Sequence, residues 1–285
     1  MLKGRKVIIV GGAGFIGHHL AIRLKNLGAG VTIIDNLMVN NYYHYLDNKH
    51  VQNAVLYLRY IKNRLDLIHE HEIPILEVDA RDYPRMCDAL NDTPGDTLIH
   101  LAAVAHANKA NKDPYSTFDH SLRTLENTLD ISRSRRNDIN HFIYFSSSMV
   151  YGDFAAEPIT EDAVCDPIGI YGTLKYCGER MVRVYQQVFG LPYTIVRPSA
   201  LYGERCVSRR VGQLFIENAL CGREVVINGD GSDCLDFTYI KDLVSGVVRM
   251  LETDRSHNEI FNITYGQGRP LLDIIKLLME RFPEM

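Results

Sequence analysis

Hydrophobic residues in this chain fall into short unbroken runs separated by longer stripes of helical spacing, the alternation expected of an α/β protein. Val7 to Val10 is a run of β-branched side chains, the mark of a strand buried on both faces of a parallel sheet. Gly11-Gly12-Ala13-Gly14-Phe15-Ile16-Gly17 comes next, and then a helix through Leu20, Ile22, Leu24 and Leu27 that Gly28 and Gly30 punctuate. Further strands are predicted at 31–34, 73–78, 97–103 and 141–145, and helices over 115–136, around Tyr171, and at 212–221 and 271–282. Between the second and third strands, Asn41-Tyr42-Tyr43-His44-Tyr45 opens a stretch in which Val55, Leu58, Ile61, Leu65 and Ile68 recur at helical spacing, read as a helix packed on the sheet. The pattern predicts a doubly wound, mostly parallel sheet with a smaller C-terminal lobe.

Composition narrows the class. With 285 residues, 46% of them hydrophobic, the chain can bury one large and one small core. A formal charge of -4 and a pI near 6.3 give no general attraction to nucleic acid or anionic lipid, so neither is expected as a partner. The six cysteines form no Cys-x-x-Cys pair and the eleven histidines no His-Glu-x-x-His, so reduced thiols, a cytoplasmic setting and no metal are expected. Lys3, Arg5 and Lys6 ahead of an apolar run imitate a signal peptide, but Gly11, Gly12, His18, His19 and Arg23 interrupt it.

Strand, glycine loop and helix in that order are what a dinucleotide pyrophosphate requires. Glycines let the backbone approach, and the helix N-terminus offers free N–H groups and a positive dipole. Gly11, Gly14 and Gly17 give the spacing G-x-x-G-x-x-G, with Phe15 and Ile16 in the same loop. Asp35 ends the second strand, with Asn36 after it, where a carboxylate accepts from both adenosine ribose hydroxyls and repels a 2′-phosphate, favouring NAD. The plainer alternative is a strand-end Asp capping a turn. The third strand delivers Asp79 and Ala80 to the same edge, where Asp79 can meet the adenine amino group. The fourth ends in Leu101, Ala102 and Ala103, small enough for the cofactor to lie against backbone, and the tyrosines at 42–45 are read as a cover for adenine or active site.

Tyr171 and Lys175 lie one helical turn apart on one face, and a phenol beside a fixed positive charge ionises more easily. Alone, Tyr-x-x-x-Lys reads equally as a packed tyrosine beside a solvated lysine. Three serines, Ser146 to Ser148, end the fifth strand, where a hydroxyl can hydrogen-bond a substrate alcohol. The glycine loop, Asp35, Asp79 to Asp82, His100 to Ala103, Ser-Ser-Ser-x-Val-Tyr-Gly, Tyr-x-x-x-Lys with Glu179, Arg197-Pro198 and Leu201-Tyr202-Gly203 come in order over roughly 240 residues. In this the chain resembles the extended short-chain dehydrogenases/reductases of the nucleotide-sugar epimerase/dehydratase family. The resemblance implies a Rossmann domain over 1–198, a substrate domain over 199–285 with segments returning to the sheet, NAD, and a homodimer. It puts the catalytic hydroxyl on Ser147 and the acid/base on Tyr171, with Lys175 holding the nicotinamide ribose and assisting the tyrosine.

The family's 4,6-dehydratases carry Asp and Glu in the two positions after the catalytic hydroxyl; here these are Ser148 and Met149. The resemblance therefore implies an NAD-dependent epimerase acting at C4 of a nucleotide-activated sugar. A C4 dehydrogenase or ketoreductase is the alternative, ahead of a 4,6-dehydratase or a non-catalytic NAD-binding protein. The arginine with which relatives grip the substrate phosphates is replaced by Leu235, so Arg205, Arg209 and Arg210 are the expected substitutes, with Ser147 and Ser148 on the sugar. Ala200 and Ser121 stand where many relatives have asparagines, Ser121 near the cofactor.

Overall fold

The apolar run forms β1 (Lys6–Val10), whose side chains alternate between two cores. Val7 and Ile9 face one core with Leu20 and Leu24 of α1 (Phe15–Asn26) and with Leu243 and Val247 of α10 (Ile240–Leu251). Ile8 and Val10 face the other with Met86 and Leu90 of α4 (Tyr83–Asp92), Leu125 and Leu129 of α7 (Thr124–Ser132), and Val182 of α8 (Gly169–Phe189). The structure, a computed structural model, describes residues 2–38, 42–47, 52–104, 107–133, 138–153, 158–227 and 229–282.

β1 sits third in a seven-stranded sheet ordered β3-β2-β1-β4-β5-β6-β8. Its other strands are β2 (Gly30–Ile34), β3 (Ile75–Leu76), β4 (Thr97–His100), β5 (His141–Phe145), β6 (Tyr193–Pro198) and β8 (Glu259–Ile263). Every pairing is parallel, giving a doubly wound Rossmann sheet with helices on both faces. Register aligns the strand ends: Val10 stands opposite both Ile34 and His100, so Gly11, Asp35 and Leu101 leave the sheet at one level.

Beyond β6 the chain builds a small separate core from α9 (Val211–Leu220) and α11 (Leu271–Arg281), where Phe215, Ala219, Leu271 and Leu278 are buried. The antiparallel pair β7 (Cys234–Leu235) and β9 (Arg269–Pro270) belongs to it. Residues 203–237 enter and leave it through one neck, where the Tyr202 amide donates to the Thr238 carbonyl (3.1 Å) and the Ile240 amide to the Tyr202 carbonyl (2.9 Å); β9 and α11 reach it separately, after β8.

Three expectations need correction. The third strand is two residues long, not six. The helix expected over 115–136 is broken into α6 (Pro114–Phe118), a π turn at Asp119–Arg123, and α7, with residues 134–136 outside the described residues. The stripe at 55–68 is helical, in α3 (Ala54–Glu70), but its buried face is Ala54, Tyr57, Ile61, Arg64 and Ile68; Val55 is 75% exposed. Of these only Ile68 joins the sheet core, while Tyr57 and Ile61 pack on Val207 from the C-terminal part of the chain.

Candidate active site

Gly11 turns the chain out of β1 at φ 81°, with its amide on the Ile34 carbonyl (2.8 Å), and a Cβ there would come within 2.6 Å of the Ala102 amide nitrogen. α1 begins at Gly14 with no side-chain cap and no acidic residue in its first turn. Its first N–H groups are thus left for a ligand, which is the arrangement a pyrophosphate fits. Asp35 accepts from the Ala13 amide (2.9 Å) and the Leu37 amide (2.8 Å), and burial pushes its pKa up against those hydrogen bonds. Asp79 pairs with Arg81 (2.6 Å), which holds its pKa down to about 2, an anion at neutral pH.

These ends surround a cleft of about 170 Å³. It is lined by Gly11, Gly14, Phe15, Ile16, Gly17, Asp35, Asn36, Asp79, Ala80, Leu101, Ala102 and Ala103, the twelve strand-end and loop positions expected to meet the cofactor. Arg210 also lines it, as does Tyr42 of α2 (Tyr42–Asp47), one of the tyrosines expected to cover it. Ile61, Leu65, His120, Thr124, Leu201 and Ser208 also line it, and no sequence motif marks them as cofactor residues. Asn41 and the side chain of His44 lie outside the described residues. The lining residue on the π turn is His120, not Ser121.

The catalytic candidates stand together beyond the cleft's lining. Ser147 caps a 3₁₀ turn at Ser148–Tyr151, its Oγ accepting from the Met149 amide (3.2 Å). That turn meets α8 at Gly172, where a Cβ would sit 2.6 Å from the Met149 carbonyl oxygen; a larger residue would push the serine turn away from Tyr171. Ser147 and Tyr171 are buried to 7% and 8% exposure. Lys175, 5% exposed, donates to the Phe145 carbonyl at the end of β5 (2.7 Å) and lies 5.1 Å over the Tyr144 ring. Burial lowers its pKa to about 8, with Glu179 opposing, so it still carries its charge at neutral pH. Glu179 accepts from Ser146 Oγ (2.5 Å) and pairs twice with Arg197 of β6 (2.6 and 2.9 Å); Arg197 also donates to Tyr151 Oη (2.7 Å). The serine turn, α8 and β6 are thus joined through one buried ion pair.

The three arginines separate. Arg205 Nε donates to His18 Nε2 (2.9 Å), and His18 Nδ1 donates to the Gly14 carbonyl (2.8 Å), so this arginine is tied to the glycine loop. Burial, helped by neighbouring cations, brings the His18 pKa down to about 2, which keeps the ring a neutral acceptor. The Arg209 amide donates to Gln213 Oε1 (3.1 Å) and Arg210 reaches the cleft. Leu235 packs in the small core. Ser148 is half-buried and Met149 is 40% exposed. Among the described residues, no group of three His, Cys, Asp or Glu is placed to hold a metal, and no helix is long and apolar enough to cross a membrane.

Residues 7–264 match the model of the NAD dependent epimerase/dehydratase family. The chain belongs to that family. It is an NAD-dependent enzyme of the extended short-chain dehydrogenase/reductase type, and NAD is its cofactor. Among similar proteins, UDP-glucuronate 4-epimerase 6 of Arabidopsis thaliana is 30% identical over 254 residues, 88% of this chain and 52% of the plant protein. The structure of a Bacillus cereus UDP-glucuronic acid 4-epimerase in complex with UDP-glucuronic acid and NAD superposes with a TM-score of 0.81 at 27% identity, covering 96% of this chain and 82% of that one. A Thermotoga maritima UDP-glucose 4-epimerase with UDP-glucose gives 0.82 at 26%, covering 98% and 83%.

Proposed function

We propose that this enzyme interconverts C4 epimers of a nucleotide-activated sugar through a transient 4-keto sugar. The observation that carries the reading is the Ser147 turn seated against the Tyr171 helix over a buried Lys175, with Ser148 and Met149 where a dehydratase needs carboxyls. NAD, when bound, supplies the hydride acceptor and donor. Tyr171 takes the C4 hydroxyl proton while Ser147 hydrogen-bonds the same oxygen. Lys175, anchored on the Phe145 carbonyl, supplies positive charge beneath it as the proton leaves. When the keto sugar presents its other face, Tyr171 returns the proton as the hydride comes back. In this reading residues 1–198 supply most of the cofactor site, with Leu201, Ser208 and Arg210 completing its wall, and residues 199–285 meet the nucleotide sugar, with Arg209 on its phosphates. The related 4-epimerases carry UDP-sugar names, so uridine diphosphate is the nucleotide we put first.

The test is the product formed from purified protein, NAD and a panel of UDP-, GDP-, CDP- and dTDP-sugars. An unchanged mass with altered chromatography is expected. Loss of two hydrogens makes the enzyme a dehydrogenase, and loss of water overturns the reading of Ser148 and Met149. Tyr171→Phe should cut turnover by about 10²–10⁴-fold while leaving NAD affinity intact; turnover near wild type would remove Tyr171 from the chemistry.

A further inference from the structure

One wall of the cofactor cleft is made by two distant parts of the chain: Tyr42, Ile61 and Leu65 from α2 and α3, and Ser208 and Arg210 from the loop before α9. A dinucleotide-binding sheet does not itself require that wall. Only Ile68 of α3 enters the sheet core, and the helix is drawn instead toward Val207. What ties α3 to α9 is a carboxylate. Glu217, 7% exposed, accepts from Asn53 Nδ2 (2.7 Å) and Tyr57 Oη (2.6 Å) at one oxygen, and from Gln213 Nε2 (2.5 Å) at the other. Gln213 in turn accepts from the Arg209 amide, next to Arg210 in the cleft. Tyr57 is wholly buried, and burial with the neighbouring carboxylate pushes its pKa up, so its hydroxyl remains a donor. Two turns along α3, Arg64 Nε donates to the Arg205 carbonyl (3.0 Å), a second tie on the same face.

We propose that Glu217 is a positioning residue that sets how long NAD and NADH stay bound, by holding α3 against the substrate loop and so keeping this wall of the cleft shut. The inference rests on the epimerase reading, in which the hydride removed from C4 has to be returned before the cofactor leaves. An enzyme that released NADH after each oxidation would have no use for such a tie.

The experiment is stopped-flow dissociation of NADH, monitored by its fluorescence on chasing with excess NAD in the absence of any sugar, with apo-protein melting recorded in parallel. Glu217→Ala should release NADH at least about tenfold faster, since the carboxylate's hydrogen bonds to α3 and to Gln213 are lost together. Tyr57→Phe should give a smaller acceleration of about threefold. Glu217→Gln, whose amide oxygen still accepts from Tyr57 and Asn53 but whose NH2 faces the Gln213 donor, should release NADH at a rate between those of Glu217→Ala and wild type, a partial rescue that bulk destabilisation would not show. Wild-type release from folded Glu217→Ala overturns the proposal. Should that variant not fold, wild-type release from Tyr57→Phe overturns it equally. Because no sugar is present, this outcome stands apart from the product analysis that decides the reaction.

Discussion

Gly11, Asp35 and Ala102 line the cleft at the ends of three neighbouring parallel strands, whereas Arg205, Arg209 and Arg210 hang from a loop held by side chains of α1, α3 and α9. The strand-borne groups need only backbone register, so any sequence able to form the sheet delivers them to one level. The loop-borne groups depend on particular partners such as His18, Arg64 and Gln213. The backbone shows the difference as well: Ala200, Arg205 and Arg209 all have positive φ (29°, 62° and 52°), a conformation that contacts elsewhere must hold in place. A site built on strands tolerates change between its members, and a site built on a loop does not.

The largest expected effect tests whether the catalytic group sides with the strands or with the loop. Arg197 lies on β6, yet its role is to close the buried pair with Glu179. Removing one member of a pair only 3% and 2% exposed leaves the other charge uncompensated, so Arg197→Ala should cost about 3–5 kcal/mol in chemical denaturation, and turnover should fall with it. A loss below about 1 kcal/mol would mean that register alone holds the serine turn.

A smaller effect divides the arginines. Arg205→Ala breaks the tie to His18 and the glycine loop, and should weaken NAD about tenfold with little change in nucleotide-sugar affinity. Arg209→Ala should do the reverse. Calorimetry with each ligand checks both, and if the two variants lose the same ligand the division is wrong. The smallest effect is on pH. Lys175 titrates near 8 when folded and near its ordinary 10.5 when unfolded. Between those values the unfolded chain holds the extra proton, so stability rises with pH across the window, by at most about 1.4 kcal/mol for each pH unit. In Lys175→Met the rise should vanish when denaturation at pH 8 and pH 10 is compared.

The same contrast explains what can be read from the chain alone. The glycine loop, Asp35, Asp79 and the ends of β4 and β5 are legible because apolar runs and turn residues mark where strands stop. The face of α3 is not, because periodicity counts apolar residues, while Tyr57 and Arg64 are buried by hydrogen bonds to groups 160 and 141 positions away. Three arginines within six residues look alike in composition. Only Arg205 has His18 within reach, and that partner lies 187 positions away.

The neck at Tyr202 and Thr238 has an evolutionary consequence. Because residues 203–237 leave and rejoin the body at one place, they form a cassette whose ends already meet. Closing such a loop depends only weakly on its length, so the stretch between its fixed contacts can lengthen or shorten, while the residues that meet His18, Tyr57, Arg64 and α11 have to be kept. Tyr171, Lys175 and the glycine loop all lie outside it. Insertions and deletions inside the stretch can therefore accumulate over a lineage while the strand ends and the Tyr171 helix keep their places.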